Sequence, residues 1–466
     1  MKKMGQNINR RDFLKIVGIS AATVGIASTP GCKGSVGSNR GGKSQGDVPK
    51  GEITKKKVPG TDEDITILGY GCMRWPTISG VQRGENVVDQ DAVNELVDYA
   101  IEHGVNYFDT SPIYCQGWSE EATGNALSRH PRDSYYIATK MSNKSFYGFD
   151  AAVEMYNKSF EKLQTDYIDY YLLHNVGASM SNFNARYINN GVLDFLIEER
   201  KAGRIRKLGW SFHGNKETFD EILAMHDSVH WDFIQIQLNY SDWRKSTNNF
   251  GTTITAEYQY DEIAKRDIPI VVMEPLLGGR LASVPDYIKE RLLTREPDNT
   301  VASWAFRFAG YKPMVFNVLS GMVYKEHLQE NIRTMSPLVP LTEDDEQFIQ
   351  KTAELLDDYS IIECNDCKYC MPCPYGVDIP AILLHYNKCI VEGNVSSDIG
   401  DENYRSARRA YLVGYDRAVP KLRQAKKCIG CGQCISNCPQ RIDIPTELTR
   451  IDNYVEALKQ GKDIEI

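Results

Sequence analysis

Four residues in the first half of the chain have types and surroundings suited to proton transfer at a carbonyl oxygen. Asp109 and Tyr114 lie in FDTSPIY, Lys140 ends YYIATK, and His174 ends IDYYLLH. A Lys ammonium near a Tyr hydroxyl lowers the Tyr pKa, while a carboxylate keeps the ammonium charged. These types together predict a Tyr proton donor and a neutral His that orients the oxygen by a hydrogen bond.

Each of these residues also has a purely structural interpretation. Asp109 could cap the next helix, Lys140 could be a solvated strand end, and His174 could be a hydrogen-bonded core residue. Four such residues at three successive strand ends favour a shared site instead, because the carboxyl ends of barrel strands meet at one mouth.

Eight β-branched or aromatic runs alternate with helical patterns between residues 65 and 335. The predicted strands are 65–72, 106–110, 135–140, 168–174, 206–212, 232–240, 269–275 and 314–321. Predicted helices include 91–104, 150–164, 191–205 and 300–310. This alternation predicts an α/β protein, a (β/α)8 TIM barrel with its active-site groups at the carboxyl ends of the strands.

The segment DTSPIYCQGWSEEATGNAL resembles the motif of the aldo-keto reductases, in which Asp and Tyr precede a Gly-rich turn and a Ser-Glu helix start. The resemblance extends over roughly residues 60–335. It implies that Tyr114, Asp109, Lys140 and His174 are the catalytic tetrad. It also implies a small carbonyl or alcohol substrate and NAD(P)H bound without a Rossmann domain.

The same resemblance implies a set of cofactor contacts. Ser211 and Gln235 match positions that hold the nicotinamide carboxamide, and SGMVYKEHLQENI (320–332) is similar to the family's adenosine-phosphate loop. The cofactor contacts implied by that loop are Gly321, His327, Glu330 and Asn331.

Three positions depart from the family pattern. Phe212 replaces a frequent Asn, Met273 replaces the aromatic residue that stacks on the nicotinamide, and His327 replaces an Arg that pairs with the 2′-phosphate. Arg binds a phosphate group better than His does. Because His327 stands in its place, the choice between NAD and NADP stays open.

Eight of the twelve cysteines form two similar blocks near the C-terminus. CNDCKYCMPCP begins at residue 364 with spacing C-x2-C-x2-C-x2-C-P, and CIGCGQCISNCP begins at 428 with spacing C-x2-C-x2-C-x3-C-P. The second spacing is that of a bacterial [4Fe-4S] ligand set. Zinc usually takes paired ligands from separated elements, and cysteines two residues apart pair awkwardly as disulfides, so the blocks favour two clusters.

Similar segments, PYGVDIPAI and PQRIDIPTE, follow the two blocks and mark an internal repeat. In two-cluster ferredoxins the fourth cysteine of each block ligates the other cluster. By that analogy, one cluster is held by Cys364, Cys367, Cys370 and Cys438, and the other by Cys428, Cys431, Cys434 and Cys373. Helical patterns between the blocks predict a mostly helical ferredoxin-like domain.

The N-terminus has the pattern of a twin-arginine export signal: Arg10 and Arg11, then a weakly apolar run over 16–27. That run is too short for a transmembrane helix. Cys32 is a candidate for lipid modification, which would attach the chain to a membrane. The expected location is periplasmic, either free or membrane-anchored, and cytoplasmic if the signal is inefficient.

These features predict four parts: a signal (1–32), a flexible linker (33–58), an aldo-keto reductase barrel (59–340) and a two-cluster domain (341–466). A chain of 466 residues is too long for a single core. The net charge of −8, without a basic stripe, excludes nucleic acid as an expected partner.

Two functions remain open from the sequence. In the first, the barrel interconverts a carbonyl compound and its alcohol with NAD(P)H, and the clusters relay electrons to or from a redox partner. In the second, the chain is an exported electron-transfer protein whose barrel is a ligand-binding or docking scaffold. In a third interpretation, the clusters have a structural role: they hold the C-terminal region to the barrel and carry no electrons. No flavin fingerprint explains how hydride and single-electron chemistry would be joined.

Overall fold

The computed structural model describes residues 48–78, 86–245, 254–357, 361–396 and 398–462. The predicted export signal, the lipidation candidate Cys32 and the linker up to residue 47 lie outside these ranges. From Val48 onward the chain belongs to one compact unit. No helix within the described ranges is long and apolar enough to cross a bilayer.

A short antiparallel hairpin precedes the barrel. Its strands are β1 (Lys55–Lys57) and β2 (Asp64–Thr66), so the single predicted strand 65–72 was wrong at its start. The hairpin packs on the amino-terminal end of the barrel, where Glu63 accepts a 2.6 Å hydrogen bond from the hydroxyl of Tyr170. Residues 48–58, which were assigned to the linker, therefore include ordered structure.

Eight parallel strands then close into the predicted barrel, which confirms the (β/α)8 fold. They are β3 (Leu68–Gly71), β4 (Tyr107–Asp109), β5 (Tyr136–Met141), β6 (Ile168–Val176), β7 (Ile205–Phe212), β8 (Phe233–Gln237), β9 (Ile270–Met273) and β10 (Val315–Ser320). β10 pairs with β3 and completes the ring. Tyr107, Tyr170, Phe233 and Phe316 fill the interior and leave the opposite, carboxyl end as the mouth.

Amphipathic helices surround the strands. α1 illustrates the pattern, because its buried residues Val93, Leu96, Val97 and Ala100 recur at helical spacing. The helices are α1 (Gln90–Glu102), α2 (Ser119–Leu127), α3 (Phe149–Leu163), α4 (Met180–Phe183), α5 (Val192–Lys201), α6 (Lys216–Ala224), α7 (His226–Val229), α8 (Ala256–Ala264), α9 (Asp286–Arg295), α10 (Val301–Gly310), α11 (Lys325–Thr334) and α12 (Glu343–Leu356).

α12 packs on the barrel helices, although the sequence placed it in the second domain. Its Phe348 ring lies 5.4 Å from the ring of Trp304 in α10, and Ile349 and Ala353 belong to the hydrophobic core of the barrel. We use the name tail for the residues that follow α12.

The tail is mostly helical, with its own apolar core. Its helices are α13 (Ile379–Val391), α14 (Tyr404–Ala418) and α15 (Ile444–Gln460), and the core is rich in Tyr. α13 and α15 start at equivalent positions of the two repeats, each with Pro in its first turn, where proline is favoured. The repeat therefore builds two similar units of cysteine block, turn and helix.

Candidate functional site

The four predicted catalytic residues lie together at the barrel mouth. Asp109 ends β4, Lys140 lies in β5 and His174 in β6, while Tyr114 begins the turn after β4. All four side chains are buried. The three strands are neighbours in the barrel, so their carboxyl ends bring the residues to one place.

Lys140 and Asp109 form a buried ion pair. The Lys140 ammonium donates to Oδ1 of Asp109 and, over 2.8 Å, to the backbone carbonyl of Thr110. Burial raises the pKa of Asp109 and lowers that of Lys140, and the contact between them opposes both shifts. The pair fixes the ammonium beneath Tyr114, with Nζ 5.0 Å from the centre of the Tyr ring.

Tyr114 does not have the lowered pKa that the sequence predicted. Burial, followed by the neighbouring Tyr369, raises the pKa of Tyr114 well above its ordinary value. The Lys140 ammonium lies near the Tyr114 ring and donates to Asp109 and Thr110. The expectation of a Tyr114 pKa lowered toward working pH is therefore wrong, and Tyr114 keeps its proton.

His174 is held by two serine hydroxyls that the sequence analysis missed. Its Nδ1 lies within hydrogen-bond distance of Oγ of Ser142 and 3.2 Å from Oγ of Ser111. Burial, then the charges of Lys140 and Arg186, holds the pKa of His174 well below its usual value, so the ring is neutral. Ser111 and Ser142 each lie two residues beyond a tetrad residue, which was the available signal.

Ser211, near the end of β7, pairs with Gln235 in the middle of β8. Ser211 Oγ accepts a 2.8 Å bond from the backbone N–H of Asn175, and Gln235 Nε2 lies 3.4 Å from Oδ2 of Asp109. Gln235 Oε1 is buried without a hydrogen-bond partner among the described residues. A buried orphan acceptor next to a hydroxyl fits a carboxamide, which can donate and accept there.

The other cofactor candidates lie around the end of β10. Gly321 follows that strand, and His327 and Glu330 lie on α11, with His327 exposed. Asn331 is buried and donates a 3.0 Å bond to Oγ of Ser320. Between this group and Gln235 lies the end of β9 with Met273.

The tail crosses the mouth at the end of β9, a contact that the sequence did not reveal. The Arg74 guanidinium donates to the backbone carbonyl of Asn365 and lies 3.5 Å from that of Gly278. Asn365 Nδ2 donates a 2.9 Å bond to Oε1 of Glu274. Arg74 thus joins the loop after β3, the loop after β9 and the first cysteine block.

Tyr369 brings the first cysteine block to the reaction centre. It lies between Cys367 and Cys370, and its ring is stacked 6.4 Å from that of Tyr114 at an interplanar angle of 24°. Tyr369 also contributes to the raised pKa of Tyr114, and its hydroxyl lies 4.0 Å from Sδ of Met73. No local sequence pattern pointed to this residue.

A cavity of about 1080 Å3 lies between the mouth and the tail. Ser142, His174 and Cys115 line its barrel side, and Cys367 and Cys438 line its tail side. A ligand in this cavity can therefore touch both His174 of the tetrad and the first cysteine block.

Electrostatic interactions among the block cysteines occur both within and between the two sets implied by the analogy. Cys438 interacts with Cys364, Cys367 and Cys370, and Cys373 interacts with Cys434, but Cys370 of the first set also interacts with Cys434 of the second. A cavity of about 90 Å3 is bordered by Cys373, Cys428, Cys431 and Cys434 of the second set and by Cys370 of the first. Every cysteine in the described ranges is a free thiol, and no three metal-binding side chains there converge on one ion.

Comparison with known proteins establishes the family. Residues 68–354 match the aldo/keto reductase family model, and the chain belongs to this family and is an oxidoreductase. The match ends before the first cysteine block. The chain is similar to the oxidoreductase YqkF of Bacillus subtilis, 24% identical over 320 residues that cover 64% of this chain and 96% of YqkF.

Two solved structures share the barrel fold. The holo form of aldo-keto reductase AKR11C1 from Bacillus halodurans has a TM-score of 0.52 at 24% identity, covering 64% of this chain and 96% of that one. An aldo-keto reductase from Klebsiella pneumoniae in complex with NADPH has a TM-score of 0.51 at 19% identity, covering 65% and 96%. Membership of the family favours the enzyme over an electron carrier with a scaffold barrel.

Proposed function

We propose that the barrel reduces a small carbonyl compound, or oxidises the corresponding alcohol, with NAD(P)H as hydride donor. The observation that carries this proposal is the convergence of Tyr114, His174 and the Lys140–Asp109 pair at the mouth of a family barrel. In the reduction, one hydride and one proton convert the carbonyl to an alcohol and leave NAD(P)+.

The chain's own residues supply the proton and orient the oxygen. Tyr114 is protonated and donates its hydroxyl proton to the carbonyl oxygen. Neutral His174, whose ring centre lies 5.7 Å from that of Tyr114, donates a hydrogen bond to the same oxygen. The Lys140 ammonium stabilises the negative charge that forms as the proton leaves, and Asp109 holds it in position.

The nicotinamide supplies the hydride when it is bound. The Ser211 hydroxyl and the unpartnered Oε1 of Gln235 would hold its carboxamide, and Gly321, His327, Glu330 and Asn331 would face the adenosine part. The NADPH complex of the Klebsiella protein supports a nicotinamide dinucleotide in this fold family.

We further propose that the tail holds two [4Fe-4S] clusters that exchange electrons with a redox partner. The spacing of the cysteine blocks supports this, because the second block has the spacing of a bacterial [4Fe-4S] ligand set and the first differs from it only in its last gap. Such clusters carry one electron each, so two together match the two electrons of one hydride. The contact of Tyr369 with Tyr114, and Cys367 and Cys438 in the cavity wall, bring the first set next to the substrate.

Export by the twin-arginine route remains part of the proposal, with Cys32 as the candidate for a membrane anchor. That route carries folded proteins, which is consistent with cofactors inserted before export. Export is tested by fusing residues 1–47 to a reporter that is active only outside the cytoplasm. This fusion is compared with one that carries Arg10→Lys/Arg11→Lys.

The reductase is tested by NADPH and NADH oxidation with a panel of aldehydes and ketones, using full-length protein purified without oxygen. Tyr114→Phe is expected to lower kcat about 100-fold or more and to leave cofactor binding intact. Tyr258→Phe, which removes a phenol on the outer helix α8, is the matched control. Full turnover by Tyr114→Phe would contradict the proposal.

A further inference from the structure

The cavity between the mouth and the tail has a charge opposite to that of the whole chain. Among the described residues that line it, six are cationic and two are carboxylates. The chain as a whole has 62 acidic and 54 basic residues. The cationic residues are Arg74, Lys144, Arg186, Lys368, Arg423 and Arg441, and the carboxylates are Asp366 and Asp378.

Arg186 is the most unusual of these cations because it is buried, at 8% exposure, without a carboxylate partner in the described ranges. Its guanidinium donates to four neutral acceptors: the backbone carbonyls of Asn143, His174 and Asn175, and the hydroxyl of Tyr187. Carbonyl dipoles stabilise a buried cation only in part, so an anion in the cavity would lower its energy.

The same bonds fix Arg186 beside the reaction centre. Its Nη2 lies 2.6 Å from the carbonyl oxygen of His174, whose side chain belongs to the tetrad. Arg186 is carried by a π-helical turn, Asn184–Ile188, a conformation that is rare and frequent at functional sites. The Arg186 guanidinium is therefore held in a fixed position, where it can contact the far end of a substrate that binds His174.

Two lysines add positive charge from opposite walls of the cavity. Lys144 lies on the loop after β5, and Lys368 belongs to the first cysteine block. Both are exposed, and neither forms an ion pair with another described residue. Charges of one sign around a cavity raise the local concentration of the opposite ion.

We propose that this cavity binds a carbonyl compound that carries a carboxylate or a phosphate. The anionic group lies toward Arg186, Lys144 and Lys368. The carbonyl lies toward His174, which lines the cavity and whose ring centre is 5.7 Å from that of Tyr114. This inference rests on the proposed reductase function and names its substrate class. The tail supplies one wall of the cavity, so it takes part in selecting the substrate.

Matched pairs of aldehydes test the proposal on the full-length holoenzyme. Succinic semialdehyde is compared with butanal, and glyceraldehyde 3-phosphate with glyceraldehyde, by calorimetric binding and by KM. We expect the anionic member of at least one pair to bind about tenfold tighter. The pair that shows the larger ratio distinguishes carboxylate from phosphate. Equal affinity within both pairs would overturn the proposal.

Lys144→Met is the main variant, because its side chain makes no structural hydrogen bond among the described residues. It is expected to weaken the preferred anion about fivefold and to leave the neutral partner unchanged. Lys368→Met is the second variant. Lys201→Met, an exposed change before β7 at the other end of the barrel, is the control.

The result separates this inference from the reductase proposal. Binding that prefers the anion but yields no turnover of any aldehyde would retain the anion site and contradict the reductase. Turnover with equal use of charged and neutral aldehydes would retain the reductase and contradict the anion site. An equal loss of anion affinity in Lys201→Met would also overturn the anion site, since the loss would then come from the net charge of the protein.

Discussion

Tyr369 of the tail stacks on Tyr114 of the barrel, with ring centres 6.4 Å apart, and contributes to the raised pKa of Tyr114. The proton donor of the barrel is therefore positioned by a residue that lies outside the family match. The barrel and the tail share one site.

Replacing Tyr369 should change how Tyr114 titrates. Burial and Tyr369 raise the pKa of Tyr114, so Tyr369→Leu lowers it. A proton donor loses activity as pH rises through its pKa. We expect wild-type kcat to hold beyond pH 10, the ordinary Tyr pKa being about 10, and the Leu variant to lose activity at a lower pH than the wild type. Tyr369→Phe, which keeps the stacked ring, should fall between them; identical profiles would contradict the prediction.

Lys140→Met should destabilise the barrel by about 3 kcal/mol or more, because it leaves the Asp109 carboxylate buried without a partner. Asp109→Asn should act in the same direction. The double variant should cost less than the sum of the two, and unfolding by urea measures all three. Additive losses would mean that the pair is not coupled.

Gly278→Ala should loosen the tail. Gly278 has φ +70°, and a Cβ there would lie 2.5 Å from the backbone of Asn365. Gly279→Ala is the matched control, since Gly279 also has a positive φ but its Cβ would meet nothing within 4 Å. Faster proteolysis between α12 and Cys364 in the Gly278 variant alone is expected, whereas equal rates would show that backbone strain is the whole effect.

Double cysteine variants should reveal the interleaved sets. Cys364→Ala/Cys438→Ala removes two thiols of one set, so about four of about eight irons should remain. Cys428→Ala/Cys438→Ala removes one thiol from each set and should lose nearly all the iron. Ligation within blocks predicts the reverse, and iron analysis with EPR of the reduced protein distinguishes the two.

Lys312 should make stability depend on pH. Burial lowers the pKa of Lys312 to about 8, below the unfolded value of about 10.4. The cost of the buried charge is fully present below pH 8 and is relieved as pH rises above it. The free energy of unfolding should therefore rise from pH 8 to 10 by up to about 1.4 kcal/mol per pH unit, relative to Lys312→Met. A constant difference would contradict this.

The sequence predicted what depends on local pattern and strand order. Eight strands and the tetrad followed from alternation and from polar residues at strand ends. The bond between Arg74 and Asn365 could not be predicted, since residues distant in the chain meet there without any local signal. The pKa of Tyr114 was predicted in the wrong direction because its burial by Tyr369 could not be inferred from sequence.

Cys438 interacts with Cys364, Cys367 and Cys370, which precede it by more than 60 residues, so the tail can be completed only late in synthesis. A ribosome synthesises the barrel first, and at that stage its mouth faces solvent. The second set has all its members once the chain has grown to Cys434, and the first set only when it has grown to Cys438. A nascent chain that stops before Cys434 has the residues of the barrel, two incomplete cysteine sets, and no finished wall over its mouth.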